Sequence, residues 1–261
     1  MTLLENNTKL LISDPQSNQL HLLDLDGNIL KSFNPCNLLK RPSGVCVLNS
    51  DTNEERIFIG DSEQNKIFVF DSKFHLKLKF KFSNGMQATY MRIDNEFDKS
   101  RLYVCELFKD KLTILDSCDG KFINSIEVET PKQIFFTLDN FYVSSPVADA
   151  LMINNKVIKI NKGGNCIFEI EKRTLEIKRR ITGNWFIPIL LNIESNGNFQ
   201  ILAYTYDENL IFSEFRCLQI VNRNGKIIDK VELNSVENMT DIVLLNNKKF
   251  VSIYNKLKIF E

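Results

Sequence analysis

The chain is poor in the residues on which most catalysis depends. Among its 261 residues there are only two histidines, His21 and His75. A zinc site or a Ser-His-Asp triad needs His, or His with Cys, converging at one place. Both histidines sit in or beside expected outer strands, so they read as edge-strand residues and neither is assigned a catalytic or metal role. Cysteine is present six times, at Cys36, Cys46, Cys105, Cys118, Cys166 and Cys217, but no two are spaced Cys-x-x-Cys. Scattered cysteines within strands behave as small hydrophobes, and this usage points to a reducing, cytoplasmic setting. There is no excess of either charge: Lys+Arg and Asp+Glu are both 33. Strong nucleic-acid binders usually show a basic surplus, because phosphate contacts dominate their affinity. No apolar run reaches the ~18 residues of a membrane span. The N-terminus lacks the basic and apolar regions of a signal peptide. Two short glycosylation sequons, Asn6-Asn7-Thr8 and Asn238-Met239-Thr240, carry little weight in an Asn-rich chain. Lys162-Gly163-Gly164-Asn165 lacks P-loop spacing, so no phosphate cofactor is implied.

What is present is a repeat. Short β-rich runs recur in groups of four, and one run of each group ends at an acidic or amide residue followed by a turn. These ends are Asp24, Asp71, Asp116, Glu171 and Asn222, with a last run stopping at Glu261. The spacing is roughly 40–55 residues, the period of a propeller blade. A side-chain oxygen at such a strand end accepts backbone N–H bonds, and Gly27, Gly120 and Gly225 supply the positive φ of a tight hairpin. No helical 3.6-residue period is sustained, which excludes a helical solenoid. The fold expected is all-β, a six-bladed β-propeller forming one domain over residues 1–261. Its innermost strands should be Gly44–Leu48, Tyr90–Ile93, Phe135–Leu138, Leu190–Ile193 and Ile242–Leu245. The chain should supply three strands of the last blade, with Ile259 and Phe260 pairing only with its second strand; either the blade stays at three strands or residues upstream of Met1 in a longer protein supply the fourth.

The stretch Pro42-Ser43-Gly44-Val45, followed by Asp61, Asn65, Lys66, Phe70 and Asp71, resembles the NHL-repeat consensus. Asp14, Asn18 and Asp24 keep part of the same pattern, whereas the third group has Cys105-Glu106 where an Asp is wanted. The resemblance implies either a stand-alone propeller or the C-terminal part of a longer protein with RING, B-box and coiled-coil segments upstream. It also implies a non-catalytic scaffold whose loops recognise a protein partner, or alternatively RNA. Any ubiquitin-ligase activity would reside in the upstream segments.

In such a blade the loops between second and third strands, and those leading to the next blade, leave at one end. They contain Lys40, Arg41, Gln87, Lys132, Trp185, Phe186 and Arg216, which are the candidate partner-binding residues. Trp185 is the only tryptophan, and aromatic and Arg side chains dominate binding hot spots. The segment from Ser144 to Asn165 is longer than a hairpin loop and should overhang the same end. The alternative enzyme reading is a metal-dependent hydrolase or lyase using a ring of Asp14, Asp61 and Glu106, since oxygen clusters suit Ca²⁺. The blander reading is that each carboxylate binds its own turn. A second row of positions, Leu3, Val47, Arg92, Thr137, Asn192 and Leu244, places three polar residues among apolar ones. Arg179-Arg180 reads as a solvated pair on an outer strand. No cofactor, no metal and no membrane partner is expected.

Overall fold

The computed structural model describes residues 1–4, 8–48, 55–81, 88–95, 100–145, 149–153, 156–162, 165–183, 186–194, 196–206, 212–233, 239–245, 248–253 and 256–260. Side chains are described except at 108, 149–162, 186–187, 189–192, 202, 204–218 and 231–260. The first sheet is β1 (Thr2–Leu4), β2 (Lys9–Asp14), β3 (Gln19–Leu23) and β4 (Ile29–Phe33). The second is β5 (Pro42–Leu48), β6 (Arg56–Asp61), β7 (Lys66–Asp71) and β8 (Leu76–Lys81), and the third is β9 (Ala88–Asp94), β10 (Arg101–Glu106), β11 (Lys111–Asp116) and β12 (Phe122–Glu127). In the fourth, β13 (Gln133–Phe136) and β14 (Asn140–Ser145) are followed by an inserted hairpin, β15 (Asp149–Ile153) and β16 (Lys156–Lys162). The sheet then resumes with β17 (Cys166–Glu171) and β18 (Ile177–Thr182). The fifth is β19 (Phe186–Ile193), β20 (Phe199–Tyr206), β21 (Phe212–Val221) and β22 (Ile227–Leu233). Three strands follow, β23 (Met239–Leu245), β24 (Lys248–Ile253) and β25 (Lys256–Phe260).

Successive four-stranded antiparallel meanders make this an all-β, β-propeller fold. The expected number of blades is corrected. Among the described residues five sheets have four strands, and β23–β25 form a three-stranded sheet, so the structure has five blades and not six. The repeat reading counted the terminal group, expected to have three strands, as a sixth blade; among the described residues it is the three-stranded sheet β23–β25. β25 pairs with β24 through Phe250↔Ile259, and β1 pairs with β2 through Leu3↔Leu10. The expected first strands fall on β5, β9, β13, β19 and β23, except that Thr137 and Leu138 lie beyond β13, with Leu138 exposed. The long segment after Ser144 is the extra hairpin β15–β16.

Two compact units make up the chain. One contains the first two sheets, most of the third and the C-terminal strands, and the other contains residues 107–111 and 126–237. Within the first unit the period-2 alternation of strands sends neighbouring residues into different cores. Ile57, Ile59, Phe68 and Phe70 join Leu4, Leu11 and Leu20 of the first sheet. Phe58, Ile67, Val69 and Phe80 join Met91, Leu102, Val104 and Leu115 of the third. Burying both faces explains the near-continuous apolar runs in these strands. In the second unit Tyr142, Ile167 and Ile181 pack against Phe199, Ile201, Ala203 and Val221.

Hydroxyl groups latch consecutive sheets together. Ser13 Oγ donates to the carbonyl of Ser43, and Ser43 Oγ donates to the carbonyls of Ala88 and Gly60. The serine of the Pro-Ser-Gly stretch therefore sits between the second and third sheets. Ser43→Ala should cost about 1–2 kcal/mol, the value of a half-buried bond whose acceptor is left unpaired. A denaturant titration with an unchanged slope and a lower midpoint is the expected result, and an unchanged midpoint would remove the latch from the account.

The hairpin after the third strand repeats one geometry in the first, second and fifth sheets. Asp24 Oδ1 accepts from the N–H groups of Asp26 and Asn28, Asp71 Oδ1 from those of Lys73 and His75, and Asn222 Oδ1 from those of Asn224 and Lys226. The left-handed position is Gly27, Gly120 and Gly225 in three sheets, and Phe74 and Leu175 in the other two. Phe74 stacks edge-on against Phe33 at 4.6 Å, which offsets the strain of φ 61°. Before the third strand of the first four sheets another left-handed residue recurs, as Asn18, Asn65, Asp110 and Asn165. Short Asn and Asp side chains tolerate this region.

Candidate functional site

The loop between β4 and β5 carries Lys40 and Arg41. Its course is dictated by Asn34 and Asp61. Asn34 Nδ2 donates to the carbonyls of Asn18 and Leu39, while Asn34 Oδ1 accepts from the N–H of Leu39 at 2.9 Å. Asp61, at the end of β6, is fully buried. Its Oδ2 accepts the N–H groups of Lys40 at 2.6 Å and Arg41 at 3.2 Å, and the side-chain amide of Gln64 at 3.0 Å. Its Oδ1 accepts from the N–H groups of Glu63 and Gln64 at 3.1 and 2.9 Å. Gln64 Nε2 also reaches the carbonyl of Leu38, and Ser62 N–H reaches that of Arg41. One carboxylate thus joins the loop entering the sheet to the turn leaving β6. Burial works against its charge, but the N–H groups of Lys40 and Gln64 and the other donors outweigh it, so its pKa lies below the usual carboxylate value. The outcome is a fixed backbone from which the Lys40 and Arg41 side chains project into solvent.

The other two carboxylates of the expected ring serve their own sheets. Asp14 accepts from Gln16 N–H, Ser17 N–H and Ser17 Oγ. Glu106 is buried and takes the hydroxyl of Thr113. The loop-pinning role passes in that sheet to Asp110, whose Oδ1 accepts Thr130 N–H and whose carbonyl accepts Val128 N–H. Among the described residues no three His, Cys, Asp or Glu side chains gather as a metal would require.

The remaining candidates are placed as follows. Lys132 is half-buried in the loop before β13, its N–H bonded to the carbonyl of Ser144 at 2.9 Å. Phe186 and Arg216 lie within strands rather than loops, because β19 begins at Phe186 and β21 already at Phe212. They share one cross-strand row, Phe186↔Tyr204↔Arg216↔Leu233. Gln87 and Trp185 lie outside the described residues. Lys40 and Arg41 belong to the first unit, and Lys132, Phe186 and Arg216 to the second. Of the polar row, Arg92 bonds Tyr90 OH at 3.1 Å, Thr137 caps its turn on the Asn140 carbonyl at 3.0 Å, and the Asn192 side chain is outside the description. The Arg pair is on the fourth strand as expected, but each is paired. Arg179 bonds buried Glu169, and Arg180 reaches Glu129 at 3.4 Å and Cys166 Sγ at 3.1 Å. Cys46, Cys105 and Cys166 are buried free thiols, and burial pushes the Cys46 thiol up to about 12. Among the described residues no helix is long and apolar enough to cross a membrane.

Sequence reasoning missed Asn34 and Gln64. Both act on backbone groups several positions away, and only the Asn-Pro and Asp-x-x-Gln spacings hint at it.

Comparison with known proteins supports the fold. No family model and no curated protein sequence matches the chain. Solved structures with the same propeller architecture do. Hydrazine synthase of Kuenenia stuttgartiensis is 12% identical, with 97% of this chain and 72% of that chain covered and a TM-score of 0.67. A catalytically inactive virginiamycin B lyase from Staphylococcus aureus with quinupristin is 14% identical, with 98% and 78% covered and a TM-score of 0.61. A streptogramin B lyase is 16% identical, with 100% and 81% covered and a TM-score of 0.58. At these identities the likeness shows the fold alone.

Proposed function

We propose that the chain is a non-catalytic, cytoplasmic binding scaffold of NHL-repeat type, and that the loop-bearing ends of its sheets recognise a protein partner. The observation that supports this reading is the anchoring of the Lys40-Arg41 loop by buried Asp61. The loop gives two backbone N–H groups to a carboxylate that three further bonds fix in place, so it loses little entropy on binding, which favours affinity. Its two outward cations supply directed contacts. Lys132, Trp185, Phe186, Arg216 and Gln87 are assigned to the same function from their positions in the repeat. The lyases among the structural neighbours favour no enzyme reading here, because Asp14, Asp61 and Glu106 are each engaged within their own sheets.

The test uses the whole chain as bait, with quantitative mass spectrometry of retained proteins and a parallel RNA titration over salt. Arg41→Glu and Trp185→Ala should each lose the partner that the wild type retains. For Trp185→Ala the loss should be about 2 kcal/mol, as for an aromatic anchor. Lys79→Glu, on exposed strand β8, should retain it. An RNA ligand would instead show binding that weakens broadly in Arg41→Glu with a shallower salt slope. Equal retention of every ligand by wild type and both loop variants would refute the loop-end site.

A further inference from the structure

The first sheet carries a relay of three side chains that the loop-end site does not use. His21 on β3 stands directly opposite Ser32 on β4. Its Nδ1 lies 2.8 Å from Ser32 Oγ, and its Nε2 lies 3.5 Å from Asp14 Oδ2. Asp14 is itself immobilised by the Ser17 hydroxyl at 2.7 Å and the Gln16 N–H at 2.9 Å. Burial opposes its charge, but the Ser17 and Gln16 donors outweigh that, and its pKa lies below the usual value. An ionised Asp14 can only accept, so Nε2 carries the imidazole proton and Nδ1 offers its lone pair to Ser32. The 3.5 Å contact is long for a hydrogen bond, and Asp14 acts on His21 as an orienting charge. Ser32 is exposed on the fourth strand. Ile29 and Leu30 on the same strand are 62% and 52% exposed, an apolar stretch open to solvent.

We propose that Ser32 is a base-activated serine that accepts an aliphatic acyl group from an activated donor, a thioester or aryl ester. As Ser32 Oγ bonds to the acyl carbon, its proton passes to His21 Nδ1. The bond from that carbon to the leaving thiolate or aryloxide then breaks, and His21 returns the proton to the leaving group. The products are an O-acyl serine and a free thiol or phenol, with no oxidant or reductant consumed. On an open strand face the outcome is a stoichiometric modification of a binding scaffold, whether or not the loop-end site holds its partner. A general base of this kind contributes about a hundredfold or more in rate.

The experiment treats the whole chain with an aryl acetate and an aryl octanoate and follows acylation by intact-mass and peptide mass spectrometry. One acyl group per chain should map to Ser32, faster with octanoate. Ser32→Ala should abolish it, and His21→Gln should slow it about a hundredfold. Asp14→Asn should slow it by a smaller factor and alter the pH profile, which a purely structural Asp14 would not do. Acylation of Ser32 no faster than that of exposed Ser72, or a rate unchanged in His21→Gln, would overturn the proposal. Circular dichroism of each variant separates lost reactivity from lost folding, and a folded His21→Gln that reacts normally counts against it.

Discussion

Replacing Asp61 by alanine is expected to lower the stability of the protein by about 3–5 kcal/mol, measured from denaturant midpoints at neutral pH. Many groups depend on this one side chain. Four backbone N–H groups and one amide donate to its two oxygens, from residues on either side of the sheet entrance. Bonds to a charged acceptor are worth more than neutral ones, and donors left in a dry site bear the full desolvation cost. Asp61→Asn should lose less, because one oxygen survives, but the new NH₂ faces donors and cannot pair with them. Deletion of the loop's anchor should also blur the presentation of Lys40 and Arg41, so partner binding should fall in Asp61→Asn even where the variant is folded.

The same residue makes an acid prediction with a defined sign. Its folded pKa lies below the ordinary carboxylate value. Its contribution is therefore complete above the unfolded pKa of about 4 and is lost as pH falls through the lower folded value. Between neutral pH and the onset of that loss, the gap in stability between wild type and Asp61→Asn should stay constant. Below it, the gap should close. A gap that widens in acid would show that the carboxylate is not what holds the loop.

How much of this could be read beforehand depends on the distance over which each residue acts. The hairpin carboxylates Asp24 and Asp71 bind N–H groups two and four residues away, so a strand-end Asp followed by Gly or a polar turn was sufficient to locate them. The alternation of Ile57, Phe58 and Ile59 likewise marks a strand buried on both faces. Asp61 was legible only by half. Its bonds to Glu63 and Gln64 are local, whereas those to Lys40 and Arg41 span about twenty residues and follow from how two sheets succeed each other. Ser32 was invisible for a related reason: it meets His21 through register alone, and register is set by the β3–β4 turn and its bulge. The blade count failed because the rhythm of the repeat led the last group, expected to have three strands, to be counted as a full blade beside the four-stranded ones. Phe186 and Arg216 were placed in loops because β19 and β21 have eight and ten residues, longer than the repeat suggests.

Gln219→Met is expected to raise stability by about 2–3 kcal/mol, the opposite sign from most core substitutions. Gln219 lies in the middle of β21, paired with Ile201 on one side and Lys230 on the other. Its side chain is fully buried, and neither Oε1 nor Nε2 has a hydrogen-bond partner. By the alternation of the strand it shares a face with Val221, which packs with Phe199 and Ile201 against Ile167 of the fourth sheet. Two amide atoms stripped of water and unpaired cost about 1–3 kcal/mol each. Methionine has the same unbranched length, fills the same volume and carries no group to satisfy. The variant should melt later with the same far-ultraviolet spectrum and an unchanged denaturant slope. A loss of 1 kcal/mol or more would mean that the amide is satisfied in solution by a buried water, which a methionine would displace without replacing its bonds. Gln219→Leu separates the two cases further. It should also stabilise if the polar atoms are unpaired, and should fall with Gln219→Met if they are not.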